Sequence, residues 1–278
     1  MKKIFTINQF GSRKKSVHFL DKKILSFPAL KKSFSKKIPT PKFGVSYSVF
    51  DGEELLEASI KSIRNEVDYV NVVYQTKSWH GADCLDSLLP TLLELKEKKL
   101  IDELVFFEPD LKKKPGKNEA KKRNVGLQAA VRAGVNYFMP MDVDEFYFEK
   151  ELAEAKKKII TKNITHSYCA QIGYANKPTL RKISNSSCYV QFFSKVDKFS
   201  ILGANEFAPC LVDPTRMMLE RKDSKHFVLN EVFMHHMSLV RKDFEKKRRN
   251  SSGVIDYDEN SFTAKELVEV ENYFGINF

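Results

Sequence analysis

Apolar and polar positions alternate in blocks along most of this chain, and the clearest block runs from residue 118 to residue 145. Asn118-Glu-Ala-Lys-Lys-Arg-Asn-Val-Gly-Leu-Gln-Ala-Ala-Val-Arg-Ala-Gly134 opens with an Asn suited to capping, continues with good helix formers and ends on Gly, which predicts a helix over 118–133. Val135 to Met141 follows as a buried strand, and the chain then turns sharply acidic at Asp142-Val143-Asp144-Glu145. A shorter apolar run around Leu104 to Glu108 predicts another strand upstream. Ser167 to Ala175 and Tyr189 to Val196, apolar and aromatic runs bounded by turn-formers, predict two strands that extend the sheet. Helix, strand and carboxylates in that order describe an α/β sheet presenting acids at a strand end, the place where open α/β sheets bind ligands.

The acidic triplet carries candidate chemistry. Side chains alternate along extended backbone, so Asp142 and Asp144 can face one way while Val143 points back. Mg²⁺ and Mn²⁺ take oxygen ligands, often one or two protein carboxylates with water and substrate phosphates completing the shell. The bland alternative is a solvated acidic loop, and the elements on either side of the triplet weigh against it.

Lys122-Arg-Asn-Val-Gly-Leu127, Ala133-Gly-Val-Asn-Tyr137 and Met141-Asp-Val-Asp-Glu-Phe146, in this order and spacing, resemble the core signature of GT-A-fold glycosyltransferases, chiefly family 2 and relatives with an Asp-X-Asp-Glu-Phe motif. Phe43 to Phe50, then Asp51-Gly-Glu-Glu-Leu-Leu56 through Ile63, resembles that group's first strand and helix, so the likeness spans residues 43 to about 150. It implies a mixed sheet flanked by helices, with a nucleotide-binding half at 43–150 and an acceptor-side half at 151–250; beyond the likeness, residues 251–278 are expected to form a C-terminal helical segment. The activity it implies is inverting transfer of a sugar from a nucleoside-diphosphate donor, UDP-linked by expectation, to a glycan or glycolipid acceptor. Surface polysaccharide or lipopolysaccharide synthesis is the expected setting.

By position, the resemblance makes Asp144 the principal ligand of Mn²⁺ or Mg²⁺, Asp142 a metal or ribose contact, Arg123 a nucleotide-holding base and Asp51 a residue approaching the nucleotide. Asp51 with Glu54 is equally a capping-box pattern for the helix starting near Gly52. After the second strand, Tyr69 to Thr76, such enzymes usually carry an acid that reads the base. This chain has Tyr74-Gln75-Thr76 there, leaving Gln75 to hydrogen-bond a uracil. Late in the catalytic domain a His often completes the metal shell, and His235 or His236 in Met234-His-His-Met237 is the place that resembles it. Neighbours on a strand point oppositely, so one of the pair should reach the site, with His236 slightly preferred. A carboxylate should take the acceptor's proton, with Glu206 the first candidate and Asp213 the second. A metal-dependent phosphohydrolase, or a catalytically silent membrane-associated binding protein on the same fold, are the competing readings.

Composition refines this picture in two places. The chain has 278 residues, 42% hydrophobic, enough for one main domain with appendages, and its formal net charge is +11. That excess belongs to residues 1–42, where twelve Lys and Arg face one acid, Asp21, interleaved with Phe, Leu and Ile. Such an arm suits packing on the domain, disorder, or contact with an anionic membrane surface at about 1 kcal/mol per basic residue. No nucleic-acid-binding motif accompanies the charge, so no nucleic-acid partner is expected. Lys112-Lys-Lys-Pro-Gly-Lys117 reads as a cationic loop beside the acids. Four scattered cysteines, no long apolar run and no signal-peptide pattern lead to an expected cytoplasmic location, peripheral at the inner membrane face if the arm binds lipid.

Overall fold

The computed structural model divides into residues 1–39 and 40–278. It describes residues 40–183, 188–203, 208–220, 222–250 and 266–277, so the basic arm, apart from its last three residues, and Glu206 lie outside the described residues.

A mixed sheet flanked by helices forms the body of residues 40–278, as the sequence predicts. Its first half is parallel: β1 (Phe43–Val49) lies between β2 (Tyr69–Tyr74) and β4 (Tyr137–Asp142), and β3 (Glu103–Phe106) pairs with β2. Both faces of these strands are covered, so they read as nearly continuous apolar runs. Val45, Tyr47, Val72, Met139 and Met141 meet in one core. Helices α1 (Glu53–Ile63) and α2 (Leu88–Glu97) connect β1 to β2 and β2 to β3. Leu55, Leu56, Ser59, Ile60 and Ile63 of α1 are buried, the i, i+4 spacing of one helix face.

α3 (Pro115–Arg132) starts three residues earlier than expected. Pro115 is its first residue, where a missing N–H costs nothing, and Lys114 precedes it with extended backbone. Asn118 is therefore not a cap. It lies buried in the first turns, exchanging two hydrogen bonds with the Asp110 backbone, and so anchors the preceding loop. The expected cationic loop is a short turn feeding directly into the helix. Farther along, Gly126 allows α3 to lie close on the sheet: a Cβ there would stand 1.9 Å from Ser46 Oγ. Its carbonyl accepts from Asn71 Nδ2 at 2.9 Å, and Ser46 donates to Asn71 at 2.6 Å, a buried polar seam between helix and strands.

The second half is largely antiparallel. After β5 (Glu145–Phe146) and α4 (Glu149–Lys162), β6 (His166–Ala175) pairs antiparallel with β8 (Tyr189–Lys195) and, at Tyr174, with β7 (Leu180–Lys182). β8 joins this half to the first by pairing with β4, but only at Tyr137 and Phe138. Two residues on, Pro140 has no N–H for a ladder, so the pairing stops. β9 (His226–Leu239) runs parallel to β6 and also pairs with β5, setting His236 opposite Glu145 and His235 opposite Phe146.

Helix α5 (Phe244–Asn250) follows β9. The C-terminal segment differs from the expected helix: among its described residues, β10 (Leu267–Glu269) pairs antiparallel with β7. Leu267 and Val268 suit a strand, and Phe274 and Ile276 then pack with Leu55, Phe146, Tyr174 and Met237. No helix among the described residues is long and apolar enough to cross a membrane.

Candidate functional site

β4 delivers the acidic motif to the carboxyl ends of the parallel strands, beside the ends of β1 and β2. Asp142 ends β4, and its side chain is 31% exposed while that of Asp144 is 2% exposed. Three carboxylates this close would repel one another, and a set of cations from distant segments offsets that repulsion.

Arg123 of α3 grips both oxygens of Asp142 through Nη1 and Nη2, each at 3.1 Å, and also donates to Glu119 at 2.6 Å and to Thr215 Oγ1 at 3.2 Å. Arg216, in a one-turn 3₁₀ segment, donates to Asp142 Oδ2 at 2.5 Å and takes Glu145 in a two-pronged pair at 2.5 and 3.0 Å. Burial alone would raise the Asp142 carboxyl, but the Arg123 and Arg216 charges outweigh it and hold it below the usual carboxylate range. Arg123 is thus neither a surface residue nor free to meet a nucleotide. Its donors go to Asp142, Glu119 and Thr215.

Asp144 is served from the other side. Its Oδ2 accepts from Arg241 Nη2 at 2.6 Å and from Lys247 Nζ at 3.1 Å, while its backbone carbonyl accepts from Met237 N in β9. Against the upward push of burial, Lys247, Arg241 and His236 hold its carboxyl well below the ordinary value. His236 Nε2 lies 3.9 Å from Asp144 Oδ1. Burial, outweighing the attraction of Asp144, lowers the His236 imidazole from its ordinary value.

The two histidines point oppositely, as strand geometry requires. His235 turns into an aromatic cluster with Phe148 and Phe274, its Nδ1 2.8 Å from the Tyr174 hydroxyl, and so is part of the packing rather than of the acidic site.

Two cavities open at these strand ends. One of about 110 Å³ is lined by Ser48, Asp51, Trp79, Lys122, Asp142 and Lys247 among others. A second, of about 280 Å³, is bordered by Asp51, Glu54, Ser87, Arg241 and Lys247. Asp51 and Lys247 border both. Asp51 does not cap α1: Gly52 takes the capping position at φ +81°, with no side-chain cap, so the capping-box reading fails and the Asp51 carboxylate is left to the cavities. Lys122, fully buried, donates to the Val49 carbonyl at 2.8 Å and stands 5.5 Å from the Trp79 ring center. Burial, partly countered by Asp142, pushes its ammonium down to about 7.

Gln75 borders neither cavity. It is buried, and its amide Nε2 donates to Lys77 O at 2.7 Å. Asp213 also borders neither cavity, but it accepts from Thr215 N and lies 3.8 Å from Arg123 and 3.6 Å from Arg216, the two arginines that hold Asp142.

Neither a family model nor a curated protein matches this chain. Solved structures do. S. aureus TarS residues 1–349 is similar at 18% identity and a TM-score of 0.36, over 48% of this chain and 36% of that one. The same TarS fragment in complex with UDP-GlcNAc gives 16% identity and a TM-score of 0.33, over 48% and 35%. This chain therefore spans little more than a third of the TarS fragment's length. At these values the likeness carries no residue roles across.

The donor set around the motif can be weighed directly against the expected divalent ion. Both Asp142 oxygens accept from guanidinium groups, and Asp144 Oδ2 accepts from two cations. That leaves Asp144 Oδ1 and His236 Nε2. Among the described residues no three His, Cys, Asp or Glu side chains are grouped to hold a metal ion. A divalent cation there would also face Arg241 and Lys247 on the same carboxylate, and like charges at such range repel strongly. This arrangement does not fit Mn²⁺ or Mg²⁺.

Sequence reasoning passed over Arg216, Arg241, Lys247 and the role of Lys122. Lys122 could have been found from its place beside Arg123, one residue along the inward face of α3. Arg216 and Arg241 carry no local signal.

Proposed function

We propose that this chain is a glycosyltransferase that moves a sugar from a nucleoside-diphosphate donor, a UDP-sugar first among candidates, to a hydroxyl of a glycan or glycolipid. The observation that carries this reading is the delivery of Asp142 by β4 to a cleft at the carboxyl ends of the parallel strands, where Lys122 and Lys247 stand among the lining residues with Asp51 and Glu119. The two ammonium groups suit phosphate oxygens, and the strand ends are where this sheet type takes ligands.

In the transfer, the acceptor oxygen forms a bond to the anomeric carbon. The bond from that carbon to the β-phosphate oxygen breaks, and its electron pair leaves with the nucleoside diphosphate. The acceptor's proton passes to a carboxylate. Our candidate for that role among the described residues is Asp213, which is 41% exposed and lies 3.8 Å from Arg123. Attack from the face opposite the leaving group inverts the configuration.

A panel of UDP-, GDP-, CDP- and ADP-sugars, each incubated with the chain in EDTA and in Mn²⁺, tests the reading. Slow release of a nucleoside diphosphate supports it. Release of inorganic phosphate would instead mark a phosphohydrolase, and no release together with no donor binding would leave a silent fold.

A further inference from the structure

Arg241 is the most unusual cation in the site. Its side chain is 2% exposed, yet of its donors only Nη2 has an acceptor, Asp144. Nε and Nη1 are buried with no hydrogen-bond partner. Glu54 Oε1 stands 3.9 Å from Nη1, beyond hydrogen-bond reach. Buried polar groups are nearly always satisfied, and a guanidinium left with open N–H groups beside a cavity is a place for an acceptor that comes from outside.

Lys247 adds a second charge at the same point. It shares Asp144 Oδ2 with Arg241, it is 23% exposed, and it borders both cavities. Asp144 thus offers one negative charge to two positive ones. The guanidinium fork matches a phosphate's oxygens, and the ammonium adds a mobile point charge. Lys242 and Lys246 also border the larger cavity, opposite Asp51, Glu53, Glu54 and Asp243. These acids balance its charge overall but leave the Arg241 donors unpaired.

Gly52 fits the same account. A Cβ on it would stand 1.7 Å from Arg241 Nη1, and its φ is +81°, so the chain keeps this position bare to seat the guanidinium.

We propose that Arg241 and Lys247, held in place by Asp144, receive the donor's diphosphate and carry its charge during transfer, so that donor binding needs no divalent metal. The motif's second Asp then acts as a positioning residue for two cations. This inference rests on the glycosyltransferase reading.

Calorimetric titration of the full chain with UDP, in EDTA and again in Mn²⁺, tests it. Binding in EDTA within about threefold of that in Mn²⁺ is expected, with Arg241→Gln and Lys247→Met each weakening it at least tenfold. Lys247→Met guards against a folding artefact, because Lys247 is the more exposed of the pair. Binding that appears only with Mn²⁺, or that survives both substitutions in EDTA, overturns the proposal while leaving the transferase reading intact. If UDP, GDP, CDP and ADP all fail to bind under either condition, the transferase reading falls and the proposal falls with it.

Discussion

Asp142 and Asp144 are two residues apart, yet their surroundings are built on opposite plans. Around Asp142 the network is closed: Arg123 and Arg216 spend their donors on Asp142, Glu119, Glu145, Thr215 and the Pro140 carbonyl. Around Asp144 it is open, because Arg241 keeps two buried donors without acceptors and Lys247 faces two cavities. A closed charge network has its lowest energy as it stands and fixes geometry. An open one holds unspent capacity for hydrogen bonding that a ligand can use.

The sharpest way to break this contrast is Arg216→Met, which strips the partner from Glu145 and one partner from Asp142, both in the closed network. Loss of one side of a buried ion pair costs about 3–5 kcal/mol, so urea denaturation should show a large drop in midpoint with little change in slope. Arg241→Gln should cost less, about 1–3 kcal/mol in the same measurement, since it removes two unsatisfied donors along with one ion pair. An equal loss in the two variants would erase the distinction between the networks.

Gly52→Ala should destabilise by about 1–2 kcal/mol from the left-handed backbone alone, and it should also weaken UDP binding by displacing Arg241. A stability loss with unchanged UDP affinity would uncouple Gly52 from the open side.

Lys122 probes the contrast through pH. Its ammonium is lowered to about 7 in the folded chain against an ordinary 10.5, so between those values the unfolded chain binds more protons. Its contribution therefore strengthens folding as pH rises from 7 and is lost as pH falls through 7, with a slope of at most about 1.4 kcal/mol per unit. Lys122→Met should flatten the wild-type rise in melting temperature between pH 7 and 9; an identical profile in the two proteins would refute the assignment. Smallest of all, Lys247→Met should change stability by under about 1 kcal/mol, since Arg241 still holds Asp144.

What could be read from the sequence follows the same divide. α3, β4 and the acidic turn were legible because helix and strand periods change abruptly between residues 118 and 145; strand alternation required that only one of His235 and His236 reach the acids, but it did not say which. The start of α3 was misplaced because Pro115 outcompeted Asn118 as the opening signal. Among the described residues of the expected C-terminal helical segment, Leu267 and Val268 instead form β10, because they have a waiting partner in β7, which no local pattern announces. The cations were the hardest part. Arg216 and Arg241 reach the motif from 74 and 97 residues away, through the fold rather than through any spacing.

Pro140 has an effect far larger than one missing hydrogen bond. Within a strand a residue's nitrogen and carbonyl point to the same edge, and the Pro140 carbonyl is the one that Arg216 approaches at 3.4 Å. The proline therefore acts like a dropped stitch on that edge: β8 runs alongside β4 for two residues and then parts from it, and a charged side chain enters where another strand would otherwise lie. A residue with an N–H at this position would invite the sheet to knit shut over the acidic turn.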